Sequence, residues 1–166
     1  MNKTTICLIG FSYGNIVLYE SVKSFKQAKI IGISYKKYKN LSKLRSHYPK
    51  INFSRNWKDL INKTNPNVVL ISTPPKIQEK IINFLIIKKI PFLAEKPLTS
   101  NLLDATKNCK KVKKLQIPSV IDFNFLTIPI LIFLKSLIKS SKTKIKYYEI
   151  NWYFKGKKKI KENINW

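Results

Sequence analysis

The sequence predicts an α/β protein, a doubly wound parallel sheet, and three observations predict it. Between Thr5 and Ile121, short apolar runs of strand length alternate with longer stretches whose apolar residues recur at helical spacing. The runs are almost unbroken, as in strands covered on both faces, without the in-out alternation of a half-exposed sheet. A glycine turn, Gly10-Phe11-Ser12-Tyr13-Gly14, separates the first run from the first helical stretch. Strands that alternate with helices in this way imply right-handed crossovers and a parallel sheet.

Each element has its own reason. Residues 5–9 are a nearly continuous apolar run, and Ile16, Tyr19, Val22 and Phe25 then mark a helix face. Residues 29–34, with Ile30, Ile31 and Ile33, read as a second strand. Leu41, Leu44 and Tyr48 mark a helix that Pro49 closes. Residues 51–53 form a short strand and 56–62 a short helix. Asn65-Pro66-Asn67 is a turn before 68–72, the most strand-like run of the chain, which Thr73-Pro74-Pro75 stops. Ile77, Ile81, Phe84 and Leu85 are the next helix face, and 92–94 the strand before Glu95. Ser100 is the expected N-cap of a helix with Asp104 in its first turn and a face of Leu103, Thr106, Cys109, Val112 and Leu115. A strand at 118–121, a helix at 129–140 and a strand at 145–154 follow. In that last strand Lys146, Tyr148, Ile150, Trp152 and Phe154 share one face by period 2, a pattern that suits an antiparallel sheet.

Size and composition bound the function. The 166 residues make one ordinary domain, or one and the start of another. The net charge of +25 invites a nucleic-acid partner, since clustered cations release counterions from phosphate. The detail argues against it. The basic residues are 31 Lys and 2 Arg, spread along the chain, whereas base readers favour the bidentate fork of Arg. Lys, Ile and Asn share AT-rich codons, so a low-GC genome accounts for the excess. The local run from Lys155 to Lys161 reads as a solvated loop.

Cys7 and Cys109 both sit in apolar or helical patterns and read as two buried thiols, which fits a reducing cytoplasm. There is no Cys-x-x-Cys, and the lone His47 has no spaced partners, so no metal site is expected. The apolar stretch at 128–138 is too short to span a bilayer and holds Lys135.

Four stretches can carry chemistry, and all fall at carboxyl ends of expected strands, where open α/β sheets bind ligands. At the first, a dinucleotide-binding fold needs glycines so that backbone approaches the pyrophosphate at a helix N-terminus. Against the pattern G-x-G-x-x-G this chain offers Gly10, Ser12 in the middle position, Gly14, and Asn15 in the third position. The second, Ser34-Tyr35-Lys36-Lys37, lacks the acid that would hold a ribose 2′-hydroxyl and repel a 2′-phosphate. A hydroxyl and two cations favour NADP over NAD. The third, Ser72-Thr73-Pro74-Pro75, is a rigid loop suited to a cofactor wall. The fourth is Glu95-Lys96-Pro97. Lys96 is placed to donate a proton to, or take one from, a hydroxyl or carbonyl, with Glu95 orienting it.

These four stretches in this order resemble the glucose-fructose oxidoreductase, inositol dehydrogenase and MocA (Gfo/Idh/MocA) family. The similarity runs from Thr4 to about Trp152. Its most specific part is Thr73-Pro74 followed about 20 residues later by Glu95-Lys96-Pro97-Leu98. The resemblance implies a Rossmann domain followed by a second α/β domain, NAD(P)-dependent chemistry on sugars or cyclitols, and Lys96 as the catalytic lysine beside the nicotinamide. The family often has Asn two positions after the loop Thr and His three further on; here these are Pro75 and Gln78. Its later Asn-x-Arg-x-x-Pro segment is matched at Asn124 and Pro129, with Leu126 in place of the Arg.

The expected organisation is a dinucleotide-binding domain at 1–122 and the start of an incomplete C-terminal substrate domain at 123–166, the chain being truncated relative to a longer enzyme. The expected cofactor-binding set is Gly10, Ser12, Gly14, Asn15, Ser34, Lys36, Ser72, Thr73, Pro74, Glu95, Lys96 and Asn124. Expected partners are NADP or NAD, a small sugar-like substrate in the full-length enzyme, and further copies of the chain through the apolar face of Tyr148, Trp152 and Phe154. A non-catalytic, degenerate dinucleotide-binding module stays open as the alternative.

Overall fold

The structure is a computed structural model. It describes residues 3–11, 14–36 and 41–140, together with Tyr147, Glu149, Asn151 and Tyr153. Six strands form one sheet: β1 (Thr4–Ile9), β2 (Ala28–Ser34), β3 (Asn52–Ser54), β4 (Val68–Ile71), β5 (Phe92–Glu95) and β6 (Ser119–Asp122). Their spatial order is β3-β2-β1-β4-β5-β6, and every neighbouring pair is parallel. This is the doubly wound arrangement the sequence predicts, with the switch in winding direction between β1 and β4.

The unbroken apolar runs have a direct cause. Ile6 and Leu8 point into one core with Ile33, Leu70 and Tyr19, while Cys7 and Ile9 point into the other with Val69, Ile71, Ala94 and Leu85. A strand buried on both faces has no position for a polar residue. Burial of each large side chain contributes about 1.5–3 kcal/mol, and β1 and β4 together bury nearly all of theirs.

The helices are set by local chemistry. After β1 the chain makes a π-helical turn, Asn15–Tyr19, that runs into α1 (Glu20–Lys23). α2 (Leu41–His47) precedes β3, and α3 (Trp57–Thr64) follows it. Asn56 caps α3 by accepting from the amide of Lys58 at 3.0 Å, and Asn65 ends it in the left-handed region. α4 (Pro75–Lys88) opens on proline, which has no amide to leave unsatisfied. α5 (Leu102–Lys114) connects β5 to β6.

Four expectations need correction here. The cap of α5 is Asn101, whose side chain accepts from the amide of Asp104 at 2.8 Å; Ser100 stands outside the helix. The inward face of α5 carries Ala105, Asn108 and Val112, while Leu103 and Leu115 are exposed. Cys109 shares that outward side and is an exposed thiol, so only Cys7 is buried. Phe25, read as part of the first helix face, is likewise exposed, because the helix ends at Lys23.

The chain divides into two compact units, Met1–Asp122 and Phe123–Trp166. In the second, a 3₁₀ turn (Asn124–Thr127) leads into α6 (Pro129–Ser140), the helix expected at those residues. Ile130, Ile132, Phe133, Leu134, Leu137 and Ile138 of α6 are all exposed. The strand expected at 145–154 lies outside the described residues, apart from Tyr147, Glu149, Asn151 and Tyr153, which belong to no strand.

Candidate dinucleotide site

The register aligns the strand ends. Ser54, Ser34, Ile9, Ile71, Ala94 and Ile121 are successive partners across the sheet. One residue further on, Arg55, Tyr35, Gly10, Ser72, Glu95 and Asp122 form the carboxyl edge in the same order. Hydrogen bonds carry the ladder into this edge. Tyr35 donates its amide to the carbonyl of Ser54 at 3.2 Å, Gly10 to Ser34 at 3.0 Å, and Ser72 to Ile9 at 2.8 Å.

Gly10 is the tightest point. Its φ is +94°, and a Cβ there would lie 1.9 Å from the carbonyl oxygen of Ser72. No side chain fits between β1 and β4, and only glycine takes this backbone without strain. Gly14 is buried, and a Cβ would meet Leu8 Cδ1 at 3.0 Å. Close packing of helix on strand is what the last glycine of the dinucleotide pattern supplies. Gly14 does this one position before Asn15, where the pattern puts it. Asn15 opens the helical turn. Ser12 and Lys37 lie outside the described residues.

Beside Gly10 lies a groove of about 660 Å³, lined by Ile9, Gly10, Phe11, Ser34, Tyr35, Lys36, Arg55, Trp57, Ser72, Thr73, Pro74 and Ile77. Six of the expected residues, Gly10, Ser34, Lys36, Ser72, Thr73 and Pro74, therefore meet in one place. Thr73 Oγ1 is buried there without a partner among the described residues. A group that brings hydrogen-bonding atoms would satisfy it. The groove, its glycine edge and this hydroxyl fit a dinucleotide.

Arg55 and Trp57 of this groove were missed in the sequence. Arg55 directly follows a strand of three residues, and only the pairing of β3 with β2 brings it to the site. Trp57 is half-buried and stands edge-to-face with Phe84, ring centres 5.4 Å apart, so it forms a fixed wall.

Glu95 and Lys96 do not line that groove. Glu95 ends β5 and is paired in register with Asp122 at the end of β6. Burial first, and the Asp122 charge second, push the Glu95 carboxyl above its ordinary value; contacts with Lys96 oppose them. The loop after Glu95 is held by Gln78 of α4, which is 1% exposed. Its Nε2 donates to the carbonyls of Glu95 at 2.6 Å, Pro97 at 2.8 Å and Leu98 at 3.2 Å. The Lys96–Pro97 peptide is cis. Asn124 belongs to the second unit.

The fold and the glycine edge define a Rossmann domain. Residues 4–122 match the Gfo/Idh/MocA family, an oxidoreductase family with an NAD-binding Rossmann fold. The chain belongs to this family. No curated protein sequence matches it. Among solved structures it is similar to an oxidoreductase from Agrobacterium radiobacter in complex with NAD+, L-tartaric acid and magnesium (19% identity, TM-score 0.74, 84% of this chain and 41% of that one). It is also similar to the WlbA dehydrogenase of Chromobacterium violaceum with NADH and UDP-GlcNAcA (15%, 0.74, 84% and 40%). A third is biliverdin reductase of Synechocystis with biliverdin and NADP+ (14%, 0.71, 82% and 43%). The chain thus spans about two fifths of the length of these structures. No helix among the described residues is long and apolar enough to cross a membrane.

Proposed function

We propose that the chain is the nucleotide-binding part of an NAD(P)-dependent oxidoreductase that acts on a sugar or cyclitol, with NADP preferred over NAD. The observation that carries the reading is the meeting of Gly10, Ser34, Lys36 and Thr73 in one groove at the carboxyl edge of the sheet. Gly10 admits the pyrophosphate to the backbone. Ser34 and Lys36 hold the 2′-phosphate of the ribose, where an acid would repel it. Thr73 and Pro74 wall the groove. The bound nicotinamide supplies or accepts a hydride at C4.

Lys96 moves the proton that must accompany that change at the substrate carbon, to or from its oxygen. Gln78 fixes the backbone that carries Lys96. Residues 123–166 are the start of a second domain that supplies substrate contacts. Support comes from the family membership and from the order of the four stretches along the chain.

A non-catalytic nucleotide-binding module is the second reading, and Leu126 favours it. Leu126 stands where the family pattern has Arg, and it is exposed on the 3₁₀ turn.

Titration of the purified chain with NADPH and NADH, followed by nicotinamide fluorescence, tests the nucleotide reading. Saturable binding, tighter for NADPH, is expected, and Lys96→Ala should change the emission of the bound ring while leaving affinity within about threefold. Absence of binding to either nucleotide would refute it.

A further inference from the structure

The groove contains one strongly charged group that the expected site did not include. Arg55 follows β3, and Ser54 is the register partner of Ser34. With the Tyr35 amide bonded to the Ser54 carbonyl at 3.2 Å, Arg55 stands abreast of Tyr35. The spacing of neighbouring strands is about 4.8 Å, so Arg55 adjoins the stretch that holds Ser34 and Lys36.

The backbone at Arg55 is fixed. The Ser54 hydroxyl accepts from the amide of Asn56 at 3.0 Å and donates to the Asn56 carbonyl at 2.9 Å. Asn56 in turn caps α3. Arg55 is therefore the apex of a strapped step between a strand and a helix.

Its side chain is exposed, and no hydrogen bond or ion pair of Arg55 is present among the described residues. Arg is rare here, with 2 against 31 Lys. A guanidinium presents a planar fork that matches a phosphate bidentately, which an ammonium does not.

We propose that Arg55 binds the 2′-phosphate of NADP, closing on it from the β3 side while Ser34 and Lys36 approach from β2. This rests on the NADP reading of the groove and adds a second strand to it. A competing role, stacking of the guanidinium on the adenine, would serve NAD and NADP alike.

The test titrates the full chain and three variants, Arg55→Gln, Arg55→Lys and Arg45→Gln, with NADPH, NADH, 2′,5′-ADP and 5′-AMP. Arg45 is the other arginine; it is exposed on α2, outside the groove, so its variant removes the same charge elsewhere. Arg55→Gln should weaken NADPH and 2′,5′-ADP roughly ten- to hundredfold and leave NADH within about twofold. Arg55→Lys should recover part of the loss, and Arg45→Gln should match the parent. Equal weakening of NADH and NADPH by Arg55→Gln would overturn the proposal in favour of stacking. An equal loss in Arg45→Gln would overturn it in favour of bulk charge. Binding of 2′,5′-ADP but of neither dinucleotide, abolished in Arg55→Gln, would uphold Arg55 and sink the dinucleotide reading. No binding of any probe would sink both.

Discussion

Gln78 grips the backbone on both sides of Lys96, donating its side-chain amide to the carbonyl of Glu95 at 2.6 Å and to that of Pro97 at 2.8 Å. A lysine on a free loop would sample many positions. This one starts from a peptide segment tied to the inside of α4. Gln78→Leu keeps the volume and removes the buried donor that the carbonyls of Glu95 and Pro97 accept from. A loss of about 2 kcal/mol is expected, measured by urea unfolding. A variant as stable as the parent would mean that the loop holds itself.

Glu95 gives the fold a pH dependence with a definite sign. The Glu95 carboxyl is pushed above its ordinary value of 4.5, chiefly by burial and then by Asp122. A proton held more tightly in the folded chain stabilises the fold fully below the ordinary value, and that contribution is lost as pH rises through the raised one. Unfolding midpoints taken from acid towards neutrality should therefore fall through the weakly acidic range, and Glu95→Gln should flatten the fall. The same slope in the variant would remove Glu95 as its source.

Gly10→Ala tests the glycine edge. The added methyl meets the Ser72 carbonyl and the backbone sits in the left-handed region. A cost of at least about 2 kcal/mol is expected, together with loss of nucleotide binding. Gly14→Ala meets only the tip of Leu8 at 3.0 Å, a side chain that can yield, so its cost should be smaller. Chemical denaturation of both variants decides the order.

α6 carries exposed apolar residues on successive turns, among them Ile130, Phe133 and Leu137. An apolar helix of this kind seeks cover. The 19.4 kDa chain should therefore elute from gel filtration above its monomer mass. The double variant Ile130→Lys with Phe133→Lys should shift it towards the monomer. A parent that elutes as a sharp monomer would show that these residues find cover within one chain.

The strands were legible because burial on both faces leaves one composition open to them, as at residues 5–9 and 68–72. Gly10 was legible by position, between a strand and a helix. Arg55 was not, because β3 is three residues long and its neighbour across the sheet lies 20 residues away in sequence. Pairing, rather than local pattern, brings it in. The face of α5 was misread because Leu103 and Leu115 are apolar yet outward, while Asn108, polar, is the buried residue. Ser100 and Asn101 are both good caps, and nothing local separates them; the chain uses the one whose oxygen reaches the Asp104 amide.

The strand order has a consequence for synthesis. β1 is the earliest of the six strands to leave the ribosome, yet it lies in the middle of the sheet, between β2 and β4. Its second partner, β4, is made about 60 residues later, which at ordinary elongation rates is roughly 3–12 s. Through that interval an apolar strand keeps one edge open, the state in which nascent chains pair with one another. Slower initiation, which spaces neighbouring ribosomes on the message, should therefore raise the yield of soluble chain more than slower elongation does.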